Sequence, residues 1–210
     1  YLKRLVVGMM GRVYEIGRNF RNEGMDPMHN PEFTMMEVYW PYCNYVDMMN
    51  LAEELIRNAA KSIGTLEIEW NGVKLDLSKP FNKITMREAV KKYAGVDFDS
   101  IKSDEEARSI AREKGLGSEL IGHESKFAVL NLLFEAFGED KLIEPTFLLG
   151  HPTEISPLSK RDPENPDYTH RFELFMYGKE VANAFSELND PIDQRERFED
   201  QARKKAEGDD

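Results

Sequence analysis

The sequence predicts an α+β fold, a mainly antiparallel sheet flanked by helices, on three observations. Two well-separated regions, residues 13–40 and 171–188, read as long hairpins whose strands alternate apolar and polar side chains. A third hairpin is signalled by Asn71-Gly72 between two alternating runs, since this dipeptide supplies the positive φ angles of a type I′ turn. Between the hairpins lie stretches of helical period that carry their own start and stop signals.

Taken in order, residues 1–7 carry an apolar stripe at Leu2, Leu5 and Val6, enough for one or two helical turns before the Gly8–Gly11 break. Val13–Phe20 then alternates, with Tyr14, Ile16 and Phe20 on one face and Val13, Glu15, Gly17 and Asn19 on the other. The return strand sets Met36, Val38 and Trp40 against Phe33, Met35, Glu37 and Tyr39. The first face, with Tyr14, Ile16 and Phe20, reads as core. Residues 47–63 form a helix with Met48, Leu51, Ala52, Leu55, Ala59 and Ile63 at helical spacing, stopped by Gly64. Met48 and Met49 are core filler on this reading, and Cys43 a small buried hydrophobe.

Thr85-x-x-Glu88 and Ser103-x-x-Glu106 have the spacing of capping boxes, with Gly95 and Gly115 as the matching stops. Lys126–Phe137 is a further helix, and residues 98–138 read as a mostly helical insertion packed on the sheet, with His123 in a solvated entry loop. Thr146–Leu149 is a candidate buried strand, followed by an irregular, proline-rich stretch from His151 to Tyr168. Arg171–Met176 and residues 180–188 flank a turn at Tyr177-Gly178-Lys179, and alternation puts Asn183, Phe185 and Glu187 on one face. Asp190 then caps a charged helix that opens at Pro191 and reads as a surface element.

The chemistry concentrates in two places. The connection at residues 22–32 is longer than an ordinary hairpin loop, and long ordered loops are usually functional. It begins with Arg21, whose planar fork of donors suits phosphate or carboxylate oxygens, and carries Glu23, His29 and Asn30 before the ring of Phe33. Along the strand face that follows stand Glu37 and Tyr39; the second hairpin offers Asn183, Phe185 and Glu187. Two carboxylates, a phenol and an amide gathered on one pocket would select an ammonium group. Glu37 and Glu187 read equally well as solvated residues of an open strand face.

Composition bounds the class. The 28 basic and 39 acidic residues give a net charge of −11, which excludes a chain whose main work is coating nucleic-acid backbone and suits a cationic substrate or divalent metals. The single cysteine excludes an intrachain disulfide. No apolar run reaches membrane-span length and no secretory signal is present, so a cytoplasmic protein with no membrane partner is expected. The opening Tyr1-Leu2-Lys3 and the closing Gly208-Asp209-Asp210 read as cuts inside a longer polypeptide.

At Phe20-Arg21-Asn22-Glu23-Gly24, His29-Asn30-Pro31-Glu32-Phe33-Thr34 and Glu37-Val38-Tyr39, the sequence closely resembles the second conserved motif of class II lysyl-tRNA synthetases. The resemblance continues through Tyr42, Tyr45, Glu144-Pro145-Thr146-Phe147, Ile155-Ser156-Pro157-Leu158, Arg171-Phe172-Glu173-Leu174-Phe175 and residues 183–190, thinning only over about 68–141. So many ordered matches form a strong signal.

The resemblance implies a partial catalytic domain of that type over residues 1–210 and assigns roles within it. Arg21 is expected on the α-phosphate of ATP as the catalytic arginine, and Phe33 against adenine, with Glu23, His29 and Asn30 positioning ATP. Glu37, Tyr39 and Glu187 would hold the side-chain ammonium of L-lysine, helped by Asn183 and Phe185. Glu173 and Glu180 would bind Mg2+. Glu180 and Asn183 lie an odd number of residues apart, so a bulge or an early strand start is needed to bring them to one face.

The implied reaction is adenylation of lysine, then transfer to the acceptor end of tRNA(Lys), by a protein expected to be a homodimer at full length. Trp40, Pro41, Cys43 and Asn44 depart from the family's usual pattern, and Ala182 and Ala184 stand where many members have glycine, narrowing the expected pocket floor. The Gly-rich third motif, the dimer-forming first motif, the anticodon-binding domain and an acidic residue before Tyr1 are expected outside this stretch, which alone is expected to be inactive. A paralogue ligating lysine to a protein and a non-catalytic regulatory module are the alternatives. Aspartyl or asparaginyl specificity would require a basic group where Glu37 and Glu187 stand.

Overall fold

A computed structural model of the chain describes residues 1–22, 24–25 and 29–206. The chain divides into two compact units, Tyr1–Cys43 and Asn44–Asp210.

The smaller unit is a helix and a hairpin. α1 (Leu2–Val7) buries Leu2 and leads into β1 (Val13–Phe20), which pairs antiparallel with β2 (Glu32–Tyr39). The register sets Tyr14 opposite Val38, Ile16 opposite Met36 and Phe20 opposite Glu32. Val13, Glu15, Gly17 and Asn19 face Tyr39, Glu37, Met35 and Phe33 on the other side, as alternation requires. The apolar face is not core: Tyr14, Ile16 and Phe20 are 67, 65 and 74% exposed, and Met36 is 41% exposed. The cause is topological, because a two-stranded ribbon has no second layer to bury that face. Cys43 is half-buried, its thiol donating to the Trp40 carbonyl at 3.0 Å.

The larger unit begins at α2 (Tyr45–Ser62), which starts two residues before the predicted 47–63 because Asn44 caps it in a reciprocal box with Asp47. Met49 is buried and Met48 half-buried, as core filler should be. β3 (Glu67–Trp70) and β4 (Val73–Asp76) close the short hairpin with Asn71 at φ 49° and Gly72 at φ 80°.

A four-stranded sheet follows in the order β5-β6-β7-β8. β5 (Asn82–Thr85) is short and polar, and the sequence reading passes over it. It pairs parallel with β6 (Thr146–Leu149), so the sheet is mixed. β7 (Arg171–Met176) and β8 (Lys179–Phe185) complete it antiparallel.

The sheet's two faces are built differently. Phe172, Leu174 and Met176 point to one face, where they join Phe147, Leu75, Leu77, Phe81 and the buried side of α2. Phe147 sits edge-on to Phe172 at 5.1 Å. Ala182 and Ala184 pack on this same core face, so their methyl groups do not narrow a pocket floor on the opposite side.

The other face is covered at one end only. There Leu148 and Phe175 pack under α3 (Met86–Tyr93), α4 (Asp104–Glu113) and α5 (Lys126–Phe137), with Val129, Leu130 and Leu133 fully buried. Each such side chain contributes about 1.5–3 kcal/mol by leaving water. The Thr85–Glu88 capping box forms in full, whereas Glu106 reaches past Ser103 to the Lys102 amide, so the second box is only half made. Among the described residues no helix is long and apolar enough to cross a membrane.

Candidate active site

The predicted residues fall into two sets, one in each unit. In the smaller unit the strand register places Phe33, Glu37 and Tyr39 on one face of the hairpin. Glu37 stands directly opposite Glu15, a like-charged cross-strand pair that destabilises the bare ribbon and favours a cation on that face. The ring of Tyr39 takes one already, the Lys3 ammonium lying 5.7 Å from its centroid.

At the other end of the strand, Arg21 follows β1, with its amide donating to the Pro31 carbonyl at 3.0 Å. Its guanidinium carbon lies 5.3 Å from the Phe33 centroid, so a positive fork and an aromatic face adjoin. Arg18 and Glu32 tie the strand ends together at 2.9 Å. His29 and Asn30 lie in the exposed connection before β2, and Glu23 lies outside the described residues.

In the larger unit, the β7–β8 hairpin turns at Tyr177 (φ 57°) and Gly178 (φ 69°), a two-residue turn of positive φ rather than a three-residue one. A Cβ at position 178 would meet the Asp140 Cα at 2.9 Å, so glycine is required there by both conformation and space. Beyond the turn, Phe175 pairs with Glu180 but Leu174 pairs with Ala182, leaving Val181 as a bulged residue. This extra residue resolves the odd spacing. It brings Asn183 to the face that carries Glu180 and Glu173, and Glu173 and Asn183 are themselves a cross-strand pair.

Arg171 organises that face. Its Nη2 donates to Glu173 Oε1 at 2.6 Å, Nη1 to Ser156 Oγ at 3.0 Å and to the Ile155 carbonyl at 3.2 Å, and Nε to Asn183 Oδ1 at 3.3 Å. His151, 1% exposed, brings Nε2 to 3.3 Å from Glu173 Oε2, off the axis of a linear hydrogen bond. Burial pushes the Glu173 carboxyl up, but His151 and Arg171 outweigh it and hold it below the usual range. Glu180 goes the other way. Although it stays open to solvent, the crowding of its carboxyl and the charge of Glu173 raise it, and a hydrogen bond from Asn183 only partly compensates.

Phe185, half-buried, pairs with Arg171 at the end of β8. Glu187 lies past that strand, so alternation along β8 does not fix its direction. Its backbone pairs instead with Ser159, in the proline-rich stretch after β6. Arg171 and His151 were not singled out from sequence as functional. The signal for Arg171 is its alternation with Glu173 in a strand whose other residues are apolar.

An arginine beside an aromatic ring at the head of a hairpin, with carboxylates along its face, suits a nucleotide and a cationic ligand. The family model of the class II tRNA synthetases (D, K and N) matches residues 1–210, and the chain belongs to that family. Among curated relatives it is 54% identical to the lysine-tRNA ligase of Pelotomaculum thermopropionicum over 210 residues and 52% identical to that of Enterococcus faecalis over 214. It is 50% identical to that of Staphylococcus aureus over 214 residues. Each match covers 100% of this chain and 42% of the relative, so the chain spans less than half the length of these ligases.

Proposed function

We propose that the chain is part of a lysine-tRNA ligase catalytic domain, which condenses L-lysine with ATP to lysyl-adenylate and passes the lysyl group to the 3′ end of tRNA(Lys). Residues 98–138 are its helical insertion, and the full-length protein is a cytoplasmic homodimer. The observation that carries the reading is one strand face. It offers the Arg21–Phe33 pair at one end, Glu37 about 13 Å along it and Tyr39 about 20 Å along it, at the ordinary rise per residue of a strand. A nucleotide and an ammonium group thus have separate, correctly charged berths.

In this reading Phe33 stacks on adenine while Glu23, His29 and Asn30 position the rest of ATP. The Arg21 fork binds the α-phosphate and stabilises the charge that builds there as the lysine carboxylate attacks and pyrophosphate departs. Glu37, Tyr39 and Glu187 are assigned to the lysine ammonium, with Asn183 and Phe185 helping to line its pocket. No side chain acts as nucleophile.

Glu173 and Glu180 fit a divalent cation. They are hard oxygen donors on one face, and the Glu180 carboxyl is raised first by desolvation and then by the charge of Glu173, both of which a cation would offset. Among the described residues no group of three or more His, Cys, Asp or Glu side chains could hold a metal, so substrate oxygens would complete its shell. Mg2+ bound there supplies charge neutralisation on the phosphates. Arg171 and His151 keep Glu173 ionised and oriented for it.

The test is ATP–pyrophosphate exchange by the full-length protein with each standard amino acid in turn, followed by charging of tRNA(Lys). Lysine should support exchange and tRNA(Lys) should accept the product. Exchange with aspartate or asparagine instead would overturn the specificity, and lysylation of a protein in place of tRNA would overturn the acceptor.

A further inference from the structure

The final helix, α6 (Pro191–Ala206), is charged along its length, yet it carries an arginine that is only 8% exposed, Arg197. The guanidinium is engaged on two edges. Nε donates to Asp193 Oδ1 at 2.9 Å and Nη2 to Asp193 Oδ2 at 2.7 Å, a bidentate pair one turn apart on the helix. Nη1 donates to the carbonyls of Ser159 at 2.8 Å, Ser156 at 3.2 Å and Pro157 at 3.5 Å. Asp193 is gripped again by Arg161, from Nε at 3.1 Å and Nη2 at 3.2 Å. Its carboxyl is held far below the usual range, first by the Arg197 hydrogen bonds. Burying a guanidinium merely to seat a surface helix is unfavourable, since its desolvation offsets most of what the pair returns.

What Arg197 holds is the strip across from Glu187. Lys160 N donates to the Ser186 carbonyl at 2.8 Å and Leu188 N to the Leu158 carbonyl at 2.9 Å, with Ser159 paired to Glu187 between them. Ser159 is 2% exposed, and its own amide closes a turn onto Ser156 O at 3.1 Å. β8 has ended at Phe185, so this strip continues the pairing that the sheet no longer provides. The carbonyl that takes the shortest Nη1 bond belongs to the residue facing Glu187.

We propose that Arg197 is a positioning residue for Glu187: by fixing the carbonyls of the 156–159 turn it sets where the Glu187 carboxylate stands, and so sets the affinity for the amino acid. Arg197 touches no substrate. The inference rests on the reading of Glu187 as a ligand of the lysine ammonium. Its effect falls on lysine first, because the Arg197 network grips the Glu187 strip and includes neither Arg21 nor Phe33, the pair assigned to ATP.

The experiment compares Arg197→Lys, Asp193→Asn and Glu187→Gln in the full-length protein, reading the KM for lysine and the KM for ATP in pyrophosphate exchange, with the melting temperature as a fold check. Arg197→Lys should raise the lysine KM about tenfold or more and leave the ATP KM within about twofold, as expected when a ligand-bearing segment is displaced slightly. The double variant Arg197→Lys/Glu187→Gln should bind lysine no worse than Glu187→Gln alone, because both changes act through one carboxylate. A folded Arg197→Lys protein with an unchanged lysine KM overturns the proposal, and so does strict additivity in the double variant. Should Arg197→Lys fail to fold, Asp193→Asn, which keeps the shape and frees the guanidinium, decides by the same KM comparison. If Glu187→Gln alone leaves the lysine KM unchanged, the assignment of Glu187 fails first and the positioning role falls with it.

Discussion

Replacing Arg171 with lysine tests whether the charged end of the sheet is an organised site or a solvated margin. The side chain is 17% exposed and its principal partner Glu173 is 14% exposed, so both charges are largely removed from water. The guanidinium spans Glu173 on one edge and Ser156 with the Ile155 carbonyl on the other, and also touches Asn183. An ammonium keeps the charge beside Glu173 but cannot bridge both edges. Losing two charge-assisted hydrogen bonds, partly recovered by water, costs about 2–4 kcal/mol. Arg171→Met should cost more, about 3–5 kcal/mol, because it strands the Glu173 carboxylate in a largely dry position.

For a chain of this length those values lower the melting temperature by about 4–16 °C for the lysine variant. Urea unfolding followed by far-UV circular dichroism measures the difference directly, because most of the helical signal comes from the Asn44–Asp210 unit. If Arg171→Lys unfolds within about 0.5 kcal/mol of the unaltered chain, the size of a typical surface change, the bracket has no organising role. A methionine variant more stable than the lysine variant would contradict the reasoning equally.

Three further outcomes follow from the same geometry. The Glu180 carboxyl is raised in the folded protein, so its contribution to stability is present below the ordinary glutamate range and is lost as pH rises through its folded value. Glu180→Gln should therefore raise the melting temperature modestly at neutral pH, the effect being screened by solvent, and the gain should vanish at acid pH; a gain that grows on acidification refutes the sign. Arg21→Lys in the full-length protein should cut lysine-dependent exchange by about a hundredfold without lowering stability, since the lost fork acts on developing charge; near-normal exchange would return Arg21 to the status of a loop-edge residue. Glu37→Gln should raise the lysine KM about tenfold or more while sparing the ATP KM, by removing one partner of a desolvated charge pair; equal changes in both constants would contradict separate berths.

The local elements were legible where one physical cause decides them. Asn71-Gly72 dictates its turn, the Thr85–Glu88 pair caps its helix, and the bounds of α5 and β6 follow from uninterrupted apolar runs between clear breakers. Alternation also sorted the two faces of the first hairpin correctly, since Glu37 and Phe33 share a side in the paired register. Periodicity shows which residues share a face, not whether anything covers it, and Tyr14, Ile16 and Phe20 were misread as core for that reason. β5 was missed because Asn82-Lys83-Ile84-Thr85 has too little apolar alternation to announce a strand whose pairing comes entirely from β6. The final helix reads as a surface element, and the burial of its Arg197 is not legible there because it depends on carbonyls about forty residues away, which no local pattern encodes.

The residue set proposed in the larger unit depends on two departures from regular strand geometry, and neither can be read from period alone. The bulge at Val181 brings Asn183 to the face that the turn register gives Glu180, and the end of β8 at Phe185 releases Glu187 from the sheet. With the same two-residue turn, a strictly regular hairpin would have left Glu180 opposite Phe175 but set Asn183 opposite Phe172 on the core face, where an unpaired amide is costly to bury. The bulged residue itself is half exposed and carries no polar group, which marks it as a spacer between Glu180 and Asn183. Glu187, freed from the sheet, takes its position from a separate strip that is anchored by α6. The three carboxylates assigned to this set thus have different supports: Arg171 for Glu173, the turn register for Glu180, and the Arg197 network for Glu187, with Arg171 and Arg197 meeting at Ser156, one on its hydroxyl and the other on its carbonyl. Because both guanidiniums close on Ser156, a displacement of that turn reaches Glu173 through Arg171 and Glu187 through the Ser159 pairing, so the proposed metal and amino-acid ligands are mechanically linked at one residue.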